Sequence, residues 1–320
     1  MTLQTAYEAA STRYDHAEQM YQRCGNSGVL LPRISLGLWK GFGGNRSLSE
    51  CQDLLHTAFD HGIVHFDLAN NYGPPYGSAE ENFGRVMQTS FRPYRDELFI
   101  ATKAGYDMWP GPYGNWGSRK YLMASLDQSL QRMKLDYVDV FYSHRYDPHT
   151  PLDETLQALA DVVHQGKALY VGLSRWPVDV LPYAYKYLTE QHVRPLLYQG
   201  RLNLLDQSLK TDGILDELNR QHLGLVVFSP LAQGLLTDRY LNGIPSDSRM
   251  RTDVTLKESL LTPQLLEQLA TWNAEARDLG LTLSQYSLRW VLNHPGVTSV
   301  IVGVSKKEQL LENLQVIHKL

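Results

Sequence analysis

The sequence lacks several features that would place it in a well-defined class at once. It has 2 cysteines in 320 residues, Cys24 and Cys51, too few for a disulfide framework and without the paired spacing of a structural zinc site. It has no apolar run of the roughly 18 residues that a membrane-spanning helix needs, and no secretory leader pattern at its N-terminus. It also lacks an excess of positive charge, with 30 Lys and Arg against 34 Asp and Glu. These absences predict a cytoplasmic protein with no metal, no membrane insertion and no nucleic-acid partner.

Several common functional motifs fail on inspection. Gly41-Phe42-Gly43-Gly44 resembles the start of a dinucleotide-binding fingerprint, but Arg46 stands where the third glycine would be needed. His61 and His65 have a zinc-like spacing only if both lie on a helix, and His65 falls in a strand-like segment. No P-loop and no G-x-S-x-G nucleophile motif is present. Rossmann, zinc-protease and serine-hydrolase functions are therefore disfavoured.

Eight short segments rich in branched and aromatic residues are predicted to be strands, at 33–39, 63–69, 97–103, 137–144, 169–174, 195–200, 225–230 and 298–304. Amphipathic stretches separate them, and Ser47 with Glu50 has the spacing of a capping box at the start of the first. Regular alternation of strands and helices favours an α/β fold, a closed (β/α)8 TIM barrel, over a sandwich or a bundle. We expect residues 1–320 to form a single domain.

Two regions lie outside the repeat. Residues 1–19 form an N-terminal extension, and residues 20–32 are predicted to form a β-hairpin, turning at Asn26-Ser27-Gly28, that covers the bottom of the barrel. The loops after strands 3 and 7 are long, at 104–117 and at 231 to about 262. Loops that follow barrel strands lie on the catalytic face, so we expect these two to hold substrate and cofactor.

Four polar residues fall at or just beyond the C-terminal ends of successive predicted strands: Asp67, Tyr72, Lys103 and His144. Such positions converge on one mouth of a barrel, so they are candidate catalytic residues. A structural ion pair around a packed tyrosine would produce the same pattern. If the site is catalytic, the ammonium of Lys103 would lower the pKa of Tyr72 and make it a general acid, while His144 would orient a carbonyl oxygen. With no metal or nucleophile motif present, a nicotinamide is the hydride donor that such a site needs.

The strings HFDLANNYG, IATKAG, YVDVFYSHR, GLSRW, FSPLAQGLL and GVSKKEQLLEN occur in this order, one at each of six strand ends. They resemble the aldo-keto reductases, NADPH-dependent carbonyl reductases on a (β/α)8 barrel, from about residue 20 to 318. Within that superfamily the sequence is most similar to the branch of bacterial L-glyceraldehyde 3-phosphate reductases and potassium channel β subunits. The resemblance places Asp67, Tyr72, Lys103 and His144 on the catalytic tetrad. The channel subunits carry asparagine at the fourth position, so His144 favours an active reductase.

The resemblance also implies a binding site for NADPH. The contacts that it implies for the nicotinamide and the pyrophosphate are Trp39, Asp67, Ser174, Gln199, Ser229, Leu231, Gln233 and Gly234. It places Ser305, Gln309 and Asn313 at the adenosine end. Independently, Ser305 is predicted to open the last helix, whose N-terminal amides favour an anion. Nearby cations would favour a 2'-phosphate, and the sequence leaves open which of Arg239, Arg249, Lys306 and Lys307 binds it.

Aromatic residues are expected to enclose the substrate pocket, namely Trp39, Tyr72, Trp109 and Trp116. Arg145 either meets a phosphorylated substrate or pairs with Asp147 or a backbone carbonyl, and the sequence does not decide between them. The expected partners are a small aldehyde or ketone and further copies of the chain, in a tetramer or octamer. A regulatory or scaffold subunit that holds NADP(H) is the alternative function.

Overall fold

The structure is a computed structural model that describes residues 7–246, 248–252 and 256–320, without the side chains of Arg249 and Thr252. Its strands are β1 (Tyr21–Arg23), β2 (Leu30–Pro32), β3 (Ile34–Gly37), β4 (His65–Asp67), β5 (Phe99–Ala104), β6 (Val138–Ser143), β7 (Ala168–Ser174), β8 (Leu197–Arg201), β9 (Gly224–Phe228) and β10 (Val297–Val302). Its α-helices are α1 (Ala17–Met20), α2 (Leu48–Asp60), α3 (Ser78–Val86), α4 (Arg119–Met133), α5 (Leu152–His164), α6 (Leu181–Glu190), α7 (Ser208–Thr211), α8 (Ile214–Gln221), α9 (Arg249–Thr252), α10 (Pro263–Asp278), α11 (Leu283–Leu292) and α12 (Lys307–Leu314).

Strands β3 to β10 form a closed parallel barrel in chain order, and β10 completes the ring by pairing with β3. Their apolar sequences reflect burial on both faces, and all six residues of β10 are buried. The helices between the strands cover the outside of the ring. The predicted (β/α)8 TIM barrel is therefore confirmed.

The predicted N-terminal hairpin is confirmed as β1 and β2, which pair antiparallel. The residues that follow β1 contact the N-terminal ends of barrel strands: Cys24 Sγ lies 3.5 Å from the carbonyl oxygen of Leu196, and Asn26 N donates to the carbonyl of His222 at 2.9 Å. The hairpin thus covers the bottom of the barrel and leaves the other mouth to the long loops.

The helices follow local signals with one departure. Ser47 and Glu50 form the predicted capping box at the start of α2. Between β8 and β9, where the sequence predicts one amphipathic helix over 208–224, the chain forms α7 and α8 instead. Gly213 has a φ of 76°, a left-handed conformation that ends one helix before the next begins. None of the helices formed by the described residues is long and apolar enough to span a bilayer.

Candidate active site

A buried ion pair lies at the C-terminal mouth of the barrel. Asp67 ends β4, Lys103 lies near the end of the neighbouring β5, and Lys103 Nζ is 2.6 Å from Asp67 Oδ2. The same ammonium donates to the carbonyl oxygen of Leu68 at 2.6 Å. Burial lowers the pKa of Lys103, and the carboxylate of Asp67 opposes that effect. The two strands therefore hold a positive charge at a fixed point beneath the loops.

Tyr72 lies above this ion pair on the loop between β4 and α3. Its loop is held by hydrogen bonds from Tyr72 N to the carbonyl of Ala69 at 3.0 Å and from Ala79 N to the carbonyl of Tyr72 at 3.3 Å. Lys103 Nζ donates to the phenol oxygen of Tyr72 at 3.4 Å. The structure thus brings the predicted Asp67, Lys103 and Tyr72 into one hydrogen-bonded chain.

The pKa of Tyr72 differs from the sequence-based expectation. We expected the ammonium of Lys103 to lower it, whereas burial raises the pKa of Tyr72 well above 10, and the negative charge of Asp67 adds to the rise. Removing the phenol from water penalises the charged phenolate relative to the neutral phenol. Tyr72 is therefore a protonated phenol near neutral pH.

His144 follows β6 directly and is fixed by a hydrogen bond from its backbone N to the carbonyl of Ala104 at 2.9 Å. Its ring centre lies 6.0 Å from that of Tyr72 and 4.7 Å from that of Tyr106, edge-on to both. Burial lowers the pKa of His144 well below 6.5, and the charges of Lys103, Arg175 and Arg145 add to this effect. The imidazole is therefore neutral and can donate one N–H to an oxygen.

Two further predicted residues lie on adjacent strands at the same mouth. Ser174 and Gln199 are register partners on β7 and β8, and both are buried. Gln199 Nε2 donates to Asp67 Oδ1 at 2.8 Å, so Gln199 and Lys103 each engage one carboxylate oxygen of Asp67. The side chain of Ser174 has no hydrogen bond within the described part of the chain, which leaves its hydroxyl able to bind a ligand.

The loop after β9 has an unusual backbone that includes the predicted pyrophosphate contacts. Ser229, Ala232, Gln233 and Gly234 all have positive φ, at 53°, 46°, 60° and 102°, although only one of them is glycine. Leu231 lies between them. Left-handed non-glycine residues are unfavourable and are concentrated at functional sites. Consecutive residues of this kind can turn backbone amides toward one point, as a phosphate requires.

The adenosine end departs in detail from the prediction. The last helix begins at Lys307 with Lys306 as its N-cap, so Ser305 lies before the helix and does not open it. Gln309 Oε1 accepts from Ser305 N at 2.9 Å, from Ser305 Oγ at 3.0 Å and from Lys306 N at 3.3 Å. These donors are therefore already bonded to a side chain that an anion would have to displace. Asn313 lies buried on α12.

The positively charged residues predicted to bind the 2'-phosphate differ in their positions and contacts. Arg239 lies in a short 3-10 turn of the long loop after β9, and the side chain of Arg249 lies outside the described residues. Lys307 Nζ is 3.7 Å from Asp53 Oδ2, which orients it toward α2. An arginine that the prediction missed, Arg46, donates through Nη2 to the carbonyl of Ser305 at 2.9 Å, and its buried Nη1 has no hydrogen-bond partner among the described residues.

The aromatic residues of the predicted pocket do not form one continuous wall. Trp39 is 42% exposed and its ring centre lies 6.5 Å from that of Tyr72. Trp109 packs 5.1 Å from Tyr121, whereas Trp116 lies under the guanidinium of Arg145, whose central carbon is 3.6 Å from the ring centre. Trp39 therefore lies near Tyr72, and Trp116 lies against Arg145. Trp109 instead supports the loop after β5 by packing on Tyr121.

Sequence reasoning missed two residues beside His144. Tyr106 contacts the imidazole directly, and Arg175 donates through Nη1 to the phenol oxygen of Tyr106 at 2.8 Å. Arg175 follows Ser174 at the end of β7, so the strand-end rule that identified Lys103 would also have identified it.

A closed barrel with an Asp–Lys–Tyr chain and a neutral histidine at its C-terminal mouth has the fold and donor set of an oxidoreductase that acts on a carbonyl group. A profile of the Aldo/keto reductase family matches residues 33–320, and the chain belongs to that family. Members of this family use nicotinamide cofactors and act on small carbonyl compounds. No cluster of three metal-binding side chains occurs in the described ranges.

Curated relatives match this chain over most of its length. L-glyceraldehyde 3-phosphate reductase of Escherichia coli (strain K12) is 51% identical over 309 residues, which cover 95% of this chain and 89% of the relative. Probable voltage-gated potassium channel subunits beta of Arabidopsis thaliana and of Oryza sativa subsp. japonica are 33% and 34% identical, covering 93% and 92% of this chain and 90% of each relative. The sequence is thus similar to both groups and more so to the reductase.

Proposed function

We propose that the protein reduces small aldehydes and ketones to alcohols with NADPH, with Tyr72 as the general acid. The observation that carries the proposal is the series of hydrogen bonds that joins Asp67, Lys103 and Tyr72, with His144 beside it. The phenol is protonated near neutral pH, so a proton is available where a carbonyl oxygen would become negatively charged.

Each of these side chains has a distinct role in the proposed reaction. His144 donates its N–H to the carbonyl oxygen and orients it, and Tyr72 transfers its proton to that oxygen. Lys103, 3.4 Å from the phenol oxygen, stabilises the phenolate that remains. Asp67 holds the ammonium of Lys103 in place through a contact of 2.6 Å. Gln199 holds the carboxylate of Asp67 in turn, through a hydrogen bond of 2.8 Å.

The residues present fit a dinucleotide. The unpaired hydroxyl of Ser174 would hold its carboxamide. The loop at 229–234, with its left-handed residues, would hold its pyrophosphate, and the unpartnered Nη1 of Arg46 would hold its adenosine end. When bound, the nicotinamide supplies the hydride. The cations around Ser305 support NADPH over NADH, because a 2'-phosphate needs positive charge.

The relative's name supplies the first candidate substrate, L-glyceraldehyde 3-phosphate. Methylglyoxal and aromatic aldehydes such as nitrobenzaldehyde are the next candidates, since Trp39 and Tyr72 offer apolar surface at the mouth.

The test is NADPH consumption by the purified protein on these aldehydes, with NADH in parallel and with Tyr72→Phe and Tyr76→Phe. Tyr76 lies on the same loop but is exposed, so it is a matched control. We expect Tyr72→Phe to lower kcat about 100-fold or more, the usual contribution of a positioned general acid, while Tyr76→Phe keeps wild-type rates. NADPH fluorescence should show that both variants still bind the cofactor. Equal rates for Tyr72→Phe and wild type would remove Tyr72 from the proposal.

The similarity to potassium channel β subunits supports a second candidate, a regulatory or scaffold subunit that holds NADP(H). Tight NADPH binding without turnover on every aldehyde would favour it. We further propose a cytoplasmic homo-oligomer, a tetramer or octamer, which light scattering of the purified protein would test.

A further inference from the structure

The phenol of Tyr121 is a buried polar group on α4, behind the mouth of the barrel. Tyr121 lies in the first turn of the helix, where its backbone N donates to the N-cap side chain, Ser118 Oγ, at 3.3 Å. Its side chain is fully buried, and its ring packs on that of Trp109 with ring centres 5.1 Å apart. The phenol oxygen is therefore held at one point between the helix and the loops of the mouth.

Two hydrogen bonds in series pass through the phenol oxygen of Tyr121. Asn70 Nδ2 donates to it at 2.9 Å, and the phenol donates in turn to the carbonyl oxygen of Tyr106. A phenol carries a single hydrogen, so its bond to Tyr106 requires it to accept from Asn70. We call these two hydrogen bonds the Tyr121 bridge.

Each end of the Tyr121 bridge lies next to a residue of the proposed proton transfer. Asn70 stands two residues before Tyr72 on the same loop. The ring of Tyr106, on the loop after β5, lies edge-on to the imidazole of His144, with ring centres 4.7 Å apart. A displacement of either loop would therefore change how Tyr72 and His144 face each other.

The loop after β5 is held from its other side by Arg145. This arginine follows β6 and donates through Nε to the carbonyl of Gly105 and through Nη2 to Asn115 Oδ1, both at 2.7 Å. Arg145 thus bonds to a backbone carbonyl, one of the alternatives that the sequence leaves open. These bonds fix the loop relative to β6, but they do not reach the loop that carries Tyr72.

The Tyr121 bridge supplies the missing connection. In the described part of the chain, no hydrogen bond directly joins the Tyr72 loop, residues 68–77, to the loop after β5, residues 105–117. Removing the phenol oxygen would take away the partner of a backbone carbonyl and of one amide N–H of Asn70. Buried polar groups that lose their partners are costly, so the two loops would move to regain hydrogen bonds.

We infer that Tyr121 is a positioning residue whose phenol fixes the Tyr72 loop relative to the loop after β5, and thereby how Tyr72 and His144 face one carbonyl oxygen. Tyr121 acts through these loops and contacts neither substrate nor cofactor. The inference rests on the proposed function and adds to it a residue in the outer layer of helices on which proton transfer depends. A misplacement of about 1 Å at a reacting pair can cost about 100-fold in rate, so one hydrogen-bonded bridge is enough to matter.

The first experiment measures kcat in wild type, Tyr121→Phe, Tyr72→Phe and the double variant. We expect Tyr121→Phe to lower kcat about tenfold or more, because the proton donor is no longer held in place. In the Tyr72→Phe background it should cause no further loss, since the position of residue 72 matters only while its phenol transfers the proton. Losses that multiply in the double variant, or a wild-type kcat for Tyr121→Phe, would overturn the inference. Tyr185→Phe is the matched control: it removes a buried phenol oxygen that has no hydrogen bond among the described residues, and it should keep the wild-type kcat.

A second variant, Asn70→Ala, removes the other end of the Tyr121 bridge. It should lower kcat by a similar factor, and combining it with Tyr121→Phe should lower kcat no further, because both changes break the same connection. Independent losses would show that the two residues do not act through one bridge. The Kd of NADPH, from its fluorescence, should be equal in wild type and Tyr121→Phe, whereas a weaker Kd would assign Tyr121 to cofactor binding and contradict the inference.

Hydrogen exchange followed by mass spectrometry separates this inference from the proposed function. In Tyr121→Phe, amides of residues 68–77 and of residues 105–117 should exchange about fivefold faster or more, because both loops lose the bond that holds them. Tyr185→Phe should leave exchange in both loops unchanged. If wild type reduced no aldehyde at all, the proposed function would fail, and exchange would still decide whether Tyr121 joins the loops. Acceleration in both loops supports the inference, and acceleration in one loop or in neither refutes it.

Discussion

His65 is a buried histidine inside the barrel. Its Nδ1 lies 2.8 Å from Ser35 Oγ, which lies 2.6 Å from Ser299 Oγ. Burial lowers the pKa of His65 to about 4, with Asp67 opposing and Lys103 adding to the shift. In the unfolded chain an ordinary histidine has a pKa near 6.5. Between about pH 6.5 and pH 4 the unfolded state therefore binds a proton that the folded state does not, and stability falls as the pH is lowered through this window.

We expect this residue alone to remove about 2 kcal/mol from the free energy of unfolding between pH 7 and pH 5. Urea denaturation at several pH values measures the loss, and His65→Gln should flatten the acid side of the stability curve. His61, which is exposed, gives the matched control His61→Gln with a wild-type curve. Identical slopes for wild type and His65→Gln would mean that His65 is not the group that titrates.

At the residue scale, the sequence could place side chains but not their surroundings. The ends of consecutive strands identified Asp67, Lys103 and His144, because parallel strands in a barrel all end at one mouth. The pKa of Tyr72 was predicted in the wrong direction because it depends on how many protein atoms replace water around the phenol. The hydrogen bond from Arg175 to the phenol oxygen of Tyr106 could not be predicted either, since it depends on where the end of β7 and the loop after β5 meet in space.

At the scale of elements, the contact between α3 and α4 shows how closely two helices approach behind the Tyr72 loop. A Cβ built on Gly84 of α3 would lie 2.0 Å from the carbonyl oxygen of Arg132 on α4. The same arginine donates through Nε to the buried Glu80 at 2.8 Å, and Glu80 accepts from Thr102 beside Lys103 at 2.5 Å. The helix pair is thereby tied to the strand that carries Lys103.

We expect Gly84→Ala to lower the free energy of unfolding by about 3 kcal/mol, the upper end for overpacking, because backbone rather than a flexible side chain is in the way. It should also reduce kcat, since α3 begins just after the Tyr72 loop. Gly28→Ala is the matched control: its Cβ would meet nothing within 4 Å. Wild-type stability of Gly84→Ala in urea would show that the helices separate without cost.

The eight barrel strands were predictable as elements, but their ends were less so. The first was expected at 33–39 and is Ile34–Gly37, and the second was expected at 63–69 and is His65–Asp67. Apolar composition indicates which residues are buried, whereas a strand ends where its neighbouring strands stop pairing with it. Only Leu36 and Gly37 of β3 pair with β4, in a register that local sequence does not encode.

At the scale of the whole molecule, the N-terminal segment is attached to the barrel both by packing and by polar contacts. Ala9 is buried in the core, and the ring of Tyr7 stacks on that of His56 with ring centres 3.7 Å apart. Asp60, the last residue of α2, accepts from the phenol of Tyr7 at 2.7 Å and from Ala10 N at 2.9 Å through one oxygen, Oδ1. A second attachment joins Arg13 and Tyr14 to Glu97, each at 2.7 Å. That residues 1–320 form one domain stays a prediction, and the strength of these attachments bears on it.

Asp60→Ala removes one attachment and leaves the barrel strands untouched, so we expect it to open the segment locally. Hydrogen exchange followed by mass spectrometry should show amides in residues 7–20 exchanging about tenfold faster or more, because losing an acceptor for two donors costs about 1 to 3 kcal/mol. Asp15→Ala, an exposed substitution in the same segment, should leave exchange unchanged. If amides of the barrel strands accelerated as much as those of residues 7–20, the segment and the barrel would open together as one cooperative unit. Confined acceleration would instead make the segment a separately opening part of the molecule.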